Sequence, residues 1–352
     1  MDPQGLASLS NTVLYTAMGV LAFAMIAFAL HTAKVTSARS APPQDRTREL
    51  VGAGASARAG EATHGVEAGD AGDATGTTGA TAGSSAVGGP QPGPGSPGAR
   101  VGAWAMSLSW LATMLLLVSM VLRGLSVRRA PVSNMFEFAV AGSFVVLALY
   151  LALAQRRPLK WLGVFVVTPV LLVLGIAIRS WYTAASELVP SLQDAWLVIH
   201  VPVAILATAI FTLGFIVLLL QLAQARREQA IARGQRGRPR FLAGLPDSTS
   251  LDRTAYSLNI LGFPLWTFTL IAGAIWGQKA WGTYWSWDPK EVWTFVIWTI
   301  YAAYLHARAT SGWSLRTANI IAVVGYLAII VNFTIVNYFF PGMHSYSGVS
   351  AP

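Results

Sequence analysis

Long apolar runs recur along the chain and predict its secondary structure. A helix needs about 20 largely apolar residues to cross the ~30 Å hydrocarbon core of a bilayer. The first run has no basic segment before it and no small-residue cleavage pattern after it, so we interpret it as a helix and not as a signal peptide. The pattern predicts an all-α polytopic membrane protein with about eight transmembrane helices, near residues 12–33, 104–122, 132–154, 161–179, 195–222, 256–276, 289–307 and 317–340.

The segment between the first two apolar runs differs from the rest of the chain. Between Val51 and Arg100 there is no Leu, Ile, Phe, Met, Trp or Tyr, and Gly, Ala, Ser, Thr and Pro dominate. Such a segment cannot bury enough apolar area to offset the loss of backbone entropy, so we expect a disordered linker over residues 34–103. A tolerated loop insertion is the favoured interpretation, and a specific binding tail is the alternative. The predicted division is a first helix (1–33), the linker, a seven-helix domain (104–346) and a tail (347–352).

Composition supports a membrane protein and excludes several classes of site. Hydrophobic residues make up 54% of the 352 residues and charged residues only 11%, and the mean hydropathy is +0.53. A soluble protein could not cover its surface with so few charges. The chain has no cysteine, which excludes disulfides, zinc–thiolate sites, iron–sulfur clusters, thiol nucleophiles and thioether attachment of haem to the chain itself.

The net charge of +9 indicates a topology more than a nucleic-acid partner, because Lys and Arg concentrate in cytoplasmic loops. With eight crossings, the basic loops fall on one side of the membrane, which we take as cytoplasmic. Both termini then lie outside and the linker lies inside. We expect the membrane to be the plasma membrane. One outer loop disagrees, since it carries Arg123, Arg128 and Arg129. An anionic ligand at that loop and an imperfect topology rule are both open explanations. The basic inner positions are Lys34, Arg39, Arg46, Arg48, Arg156, Arg157, Lys160, Arg226, Arg227, Arg233, Arg236, Arg238, Arg240, Arg253, Arg308 and Arg316.

A Trp-rich loop precedes the seventh run. Residues 276–293 hold five of the 13 Trp residues. Gly282 allows a turn, and Asp288 followed by Pro289 is typical of a helix N-terminus. An aromatic belt at the membrane interface is one interpretation. A platform for a flat apolar ligand is favoured, because a belt does not need so many indoles in one loop.

Histidines near the predicted outer helix ends suggest what that ligand is. His200 and His344 fall on the same side as the Trp-rich loop, and two imidazoles beside an aromatic platform suit axial ligation of haem iron. His31 and His306 lie at the opposite end, and we interpret His31 as an interfacial residue. Glu137, just inside the third run, is either a functional intramembrane acid or a residue that stabilises the helix N-terminus.

The run Trp281-Gly282-Thr283-Tyr284-Trp285-Ser286-Trp287-Asp288-Pro289-Lys290-Glu291 closely resembles the WWD signature of haem-handling proteins in cytochrome c maturation. The wider pattern is similar to the CcsA/ResC family of system II, often named CcsB in actinobacteria. It includes the segments 131–137, 301–308 and 342–346 and the His200 motif, and it covers Trp104 to Tyr346. The long Gly/Ala-rich linker departs from the family pattern.

The resemblance implies a protein that binds haem b non-covalently and transiently on the outer membrane face. It would present haem to the CxxCH motif of apocytochrome c together with a ResB-type membrane partner, and haem lyase activity is expected only in that complex. His200 and His344 become the external axial ligands, and His306 becomes an inner haem ligand. The implied platform residues are Trp276, Trp281, Gly282, Tyr284, Trp285, Trp287, Asp288 and Trp293.

Two other hypotheses stay open. One assigns the chain to the other maturation pathway as a haem chaperone or lyase subunit, against which the short Trp-rich loop and the His306 motif argue. The other is a transporter with an aromatic vestibule and no cofactor. A Soret band in the purified protein distinguishes both haem hypotheses from the transporter. None of the three involves nucleic acid.

Overall fold

The structure is a computed structural model that describes residues 2–40, 97–186, 193–235, 237 and 239–344. Within those ranges it is helical and has no strand, which confirms the predicted all-α class. Two short 3₁₀ turns, Lys160–Leu162 and Arg240–Gly244, and a five-residue helix α9, Ile335–Phe339, accompany the long helices. These long helices are α1 Pro3–Ser40, α2 Pro97–Val127, α3 Met135–Arg156, α4 Gly163–Ser180, α5 Ala195–Ala232, α6 Ser248–Trp281, α7 Pro289–Ala309 and α8 Leu315–Phe333.

Seven of the described helices are long and apolar enough to cross a membrane, which makes this a multi-pass membrane protein; α7 is the exception among the eight predicted crossings. Lys290 and Glu291 at its start, and His306 and Arg308 at its end, lower its hydropathy. Its 21 residues nevertheless span roughly 30 Å at about 1.5 Å per residue.

The partners of α7 show that it runs the full depth of the bundle. At its start, the Lys290 Nζ donates to the carbonyl oxygen of Asn332 near the end of α8, at 2.9 Å. At its end, Arg308 makes a bidentate pair with Asp252, which also accepts from Asn319 near the start of α8. The polar ends of α7 are therefore bonded to protein groups at both ends of the bundle.

Successive long helices run antiparallel, so the start of each odd-numbered helix lies at the same end of the bundle as the end of each even-numbered helix. Ser10 near the start of α1 donates to the carbonyl of Ser119 near the end of α2, at 2.8 Å. We call this the site end; it holds the starts of α1, α3, α5 and α7 and the ends of α2, α4, α6 and α8. The start of α1 and the last described residue, His344, share it. The prediction that the site end faces outward stays a prediction.

The predicted linker of residues 34–103 is helical at both of its described edges. α1 continues to Ser40 and α2 begins at Pro97, and residues 41–96 lie outside the described ranges. The two edges are helical because α1 and α2 pack along their length: His31 is buried, and its Nδ1 lies 2.8 Å from the carbonyl oxygen of Gly98. The His31 side chain, predicted to be interfacial, is therefore packed between α1 and α2.

A buried ion cluster joins α2, α3 and the segment after α4 at the site end. The Glu137 carboxylate accepts from Arg123 Nε at 2.9 Å and from Arg129 Nη1 at 2.8 Å. It also accepts from the backbone and hydroxyl of Ser133, and Arg123 donates on to the carbonyl of Thr183. The two arginines are thus both held by one buried protein carboxylate.

A side-chain cap begins α3. Asn134 is the N-cap, and its side chain accepts from the backbone N–H of Glu137 at 2.9 Å. Arg128, the third basic residue of the loop, is exposed and has a positive φ of 51°. Glu137 therefore lies in the first turn of α3 and pairs with Arg123 and Arg129, while a functional role of this acid stays a prediction.

Candidate functional site

A cavity of about 240 Å³ opens at the site end between the start of α3 and helices α5 to α9. Most of its wall is apolar, with Phe138, Trp266, Leu270, Ile329 and Phe333 among the lining residues. Its polar and aromatic rim includes residues predicted from the sequence: His200, Trp276, Tyr284, Trp285 and His344.

His200 is held in a defined orientation by α6. Its Nδ1 lies 3.0 Å from the backbone carbonyl oxygen of Thr269. A carbonyl can only accept, so Nδ1 carries the proton and Nε2 keeps its lone pair. Gly273 allows this approach, because a Cβ at that position would lie 2.9 Å from the His200 ring.

His344 is oriented in the same way by a carboxylate. Its Nδ1 lies 3.0 Å from Asp288 Oδ1. Burial raises the pKa of Asp288, but the hydrogen bonds that the carboxylate accepts have the larger effect, and the pKa lies below its usual value. The donors are His344 and the backbones of Lys290 and Met343. The ionised carboxylate only accepts, so Nδ1 donates and Nε2 of His344 is left for another partner.

A single indole contacts both histidines. Trp276 is 2% exposed, and its ring is nearly parallel to His200, with centroids 6.1 Å apart. Its other contact is edge-on to His344 at 5.7 Å. Trp281 packs edge-on to Trp276 at 4.7 Å and to His344 at 4.8 Å. The two imidazoles therefore share one aromatic support although 144 positions separate them in the sequence.

Local sequence signals build the loop that carries this arrangement. Gly282 ends α6 in the left-handed conformation with φ 78°, which a residue with a side chain rarely adopts. Asp288 caps α7 with Pro289 in the first turn, and Glu291 closes the capping box by accepting from the Asp288 backbone. Both predictions from the sequence are confirmed. Asp288 consequently serves two purposes: it caps α7 and anchors His344.

Several predicted site residues lie away from the cavity wall. Gly282 shapes the turn, Trp293 packs against the main core, and Trp287 is 78% exposed with φ 61°. His306 is exposed near the opposite end of α7. The structure brings His200 and His344 together with Trp276, Trp281, Tyr284, Trp285 and Asp288. It places His306 at the other end of the bundle.

Other lining residues were not predicted from the sequence. Thr269 orients His200 through a backbone carbonyl, and no side-chain pattern could reveal that. Asn332 and Phe333 lie at the end of α8, which carried no signal of its own. Lys290 belongs to the Trp281–Glu291 run, but nothing in the sequence other than its place in that motif indicated that it lines the cavity.

Within the ranges that the structure describes, no group of three or more His, Cys, Asp or Glu side chains could hold a bare metal ion. The two oriented imidazoles instead line a largely apolar cavity. The fold and the site together define a multi-pass, all-helical membrane protein with a paired-histidine, Trp-supported cavity at one end.

Comparison with known proteins gives the family. The model of the family described as "Cytochrome C assembly protein" matches residues 130–344. The cytochrome c biogenesis protein CcsA of Prochlorococcus marinus is 34% identical over 258 residues, which is 67% of this chain and 81% of the relative. CcsA of Heterosigma akashiwo is 33% identical over 245 residues, with 61% and 76% covered, and CcsA of Porphyra purpurea is 30% identical over 249 residues, with 61% and 78% covered. The chain belongs to the cytochrome c assembly protein family and is a member of its CcsA group.

Proposed function

We propose that this protein binds haem at the cavity and holds it for attachment to apocytochrome c, with His200 and His344 as axial ligands. The proposal rests on the hydrogen bonding that the two histidines share. In each of them Nδ1 is bonded to an acceptor, and both rings contact Trp276. Axial haem ligands use this arrangement, because a hydrogen bond to the second nitrogen fixes the tautomer and raises ligand basicity.

The family supports a role in cytochrome c biogenesis, which involves haem and apocytochrome c. We extend this to a plasma-membrane protein whose site end faces outward and which acts with a ResB-type partner. Haem supplies vinyl groups that form thioethers with the CxxCH cysteines, while this chain binds the iron, supports the ring and limits access of water. Lyase activity is expected only with the partner present.

The first experiment is an absorption spectrum of the full chain, purified alone and with its partner. A Soret band with low-spin six-coordinate features supports the proposal. Protein that stays colourless after haem is added would favour the cofactor-free transporter. The similarity to CcsA relatives favours this pathway over a chaperone or lyase subunit of the other one.

Asp288→Asn tests the carboxylate behind His344. Asn caps a helix as well as Asp does, so α7 should keep its start, while the charge that raises the basicity of His344 is lost. We expect haem affinity to fall by about 10–100-fold, the usual effect of removing an outer-shell partner of a metal ligand. Haem titration followed at the Soret band measures it.

Asp247→Asn is the matched control for that substitution. Asp247 caps α6 at the opposite end of the bundle and accepts from the backbone of Ser250 at 2.9 Å. It should leave haem affinity unchanged. Equal losses in the two variants would show that helix capping, and not the histidine contact, was affected.

Substitutions of Trp276 and Trp287 should separate the platform from the exposed indole. Trp276→Ala removes the surface shared by the two histidines, and burial of such a side chain contributes about 1–3 kcal/mol, so haem retention should drop while Trp276→Phe retains more of it. Trp287→Ala should have little effect on haem content, because the side chain is 78% exposed. Haem per protein after gel filtration is the measurement, and a larger effect of Trp287→Ala would argue against this platform.

His306 tests the predicted inner site. It lies 18 positions after Asp288 in the sequence, roughly 27 Å along α7, too far to bind the same iron. If haem passes an inner site, His306→Ala should insert normally and yet carry less external haem, and His306→Gly should regain it with added imidazole. Normal haem content of His306→Ala at equal expression would contradict the inner haem site and would not affect the proposal for His200 and His344.

A further inference from the structure

Lys290 has its amino group in the cavity wall and makes no salt bridge with any of the described residues. It is the second residue of α7, and its side chain lines the cavity. Among the described residues, the salt bridges at the site end involve Glu137 and Asp288, not Lys290. Its Nζ donates to two neutral oxygens, the Asn332 carbonyl at 2.9 Å and Asn337 Oδ1 at 2.8 Å.

The neighbouring acids are committed elsewhere. Glu291 accepts from the backbone and hydroxyl of Ser286 and from the backbone of Asp288. Asp288 accepts from His344, from Met343 and from the Lys290 backbone. An ammonium group has three N–H donors, and neutral acceptors occupy two of those of Lys290.

A second polar group of the cavity wall, Asn332, is also incompletely paired. Asn332 is 6% exposed and lines the cavity. Its Oδ1 has no hydrogen-bond partner within the described residues, and its Nδ2 reaches Thr294 Oγ1 only at 3.5 Å. A buried amide without full pairing costs free energy unless a ligand completes its hydrogen bonds. The Asn332 Nδ2 carries two N–H donors, of which at most one is engaged by Thr294, so Asn332 has an N–H to offer an anion.

We propose that Lys290 and Asn332 form a carboxylate-binding subsite that recognises a propionate of the haem bound between His200 and His344. This rests on the haem-binding function proposed above and adds the group that sets the rotational position of the ring. Lys290 supplies the charge and Asn332 a second donor. Most of the remaining wall is apolar, so a propionate buried against that part of the wall would lose hydration without compensation.

A two-by-two titration tests the subsite. Full-length protein and Lys290→Gln are titrated with haem and with haem dimethyl ester, in which both propionates are esterified. A charge-assisted hydrogen bond predicts that Lys290→Gln binds haem about 10–100-fold more weakly than the native chain does. It should bind the ester as well as the native chain does, and Lys290→Arg should recover part of the haem affinity.

Lys279→Gln is the matched control. Lys279 lies in the last turn of α6, at the same end of the bundle, and is exposed outside the cavity lining. It removes the same charge and should change neither affinity. If Lys279→Gln weakens haem binding as much as Lys290→Gln does, the effect comes from the overall positive charge at this end of the bundle and not from a subsite.

The alternative is that Lys290 only stabilises the end of α8 through the Asn332 carbonyl. In that case Lys290→Gln would weaken the binding of haem and of its dimethyl ester equally. That result would overturn the subsite but not the proposed haem binding. If Lys290→Gln does not fold, the native chain still decides: equal affinities for haem and its dimethyl ester would overturn the proposal. A native chain that binds neither compound would overturn the proposed function itself.

Discussion

His200→Ala and His344→Ala should each convert the bound haem from six-coordinate low-spin to five-coordinate iron, or release it. Each substitution removes an imidazole whose orientation is fixed by a hydrogen bond at Nδ1. The loss of haem affinity should be at least as large as the roughly 10–100-fold effect typical of removing an outer-shell partner. Absorption spectra and haem content of the purified variants measure this.

Added imidazole is the control for a structural effect of these substitutions. A small free ligand can fill the vacated position, so it should restore the low-spin spectrum and part of the cytochrome maturation in either variant. His344 follows α9 outside the main core, so His344→Ala should leave the fold unaffected. Retention of a six-coordinate low-spin spectrum and full maturation by both single variants would refute axial ligation by this pair.

Glu137→Ala should be the most destabilising substitution outside the cavity. It leaves Arg123 and Arg129 buried without a counter-charge, with side chains only 6% and 8% exposed. Breaking a buried ion pair by removing one partner costs about 3–5 kcal/mol, so the free energy of unfolding should fall by that amount. Thermal unfolding of purified protein and its level in membranes measure the change.

Glu228→Gln is the comparison for Glu137. Glu228 near the end of α5 accepts from the backbone and hydroxyl of Ser248, so its loss removes neutral partners only and should cost about 1 kcal/mol. A double-mutant cycle between Glu137→Gln and Arg129→Met would report the coupling directly. Additive effects in that cycle, or equal destabilisation by Glu137→Ala and Glu228→Gln, would show that the cluster contributes little.

The sequence by itself determined the class of the protein and the end of the helix bundle at which its candidate site lies. Apolar runs of about 20 residues predict crossing helices because each run must satisfy its backbone internally. Crossing helices alternate in direction, so counting them was enough to place His200, the Trp-rich loop and His344 at one end. Gly282 and the Asp288–Pro289 start of α7 were equally predictable, because turns and caps depend on neighbouring residues.

The motif could not show which indoles face the ligand cavity. Trp276 and Trp287 belong to the same Trp-rich segment, yet one is buried between two histidines and the other is exposed. The difference arises because Trp276 is fixed on the packed face of α6, whereas Trp287 lies in the connecting loop. Helical periodicity sets a side chain's direction only within a helix.

Only the tertiary structure decided which charged and polar residues act together. Glu137 was open to interpretation as a cap or as a functional acid, and the structure pairs it with Arg123 of α2. At the other end of the bundle, the structure joins Arg308 of α7 to Asp252, which also accepts from Asn319. The carbonyl of Thr269 and the amide of Asn332 carried no signal in the sequence. These contacts join residues distant along the chain, and the register and packing of whole helices, not local patterns, bring such residues within hydrogen-bond distance.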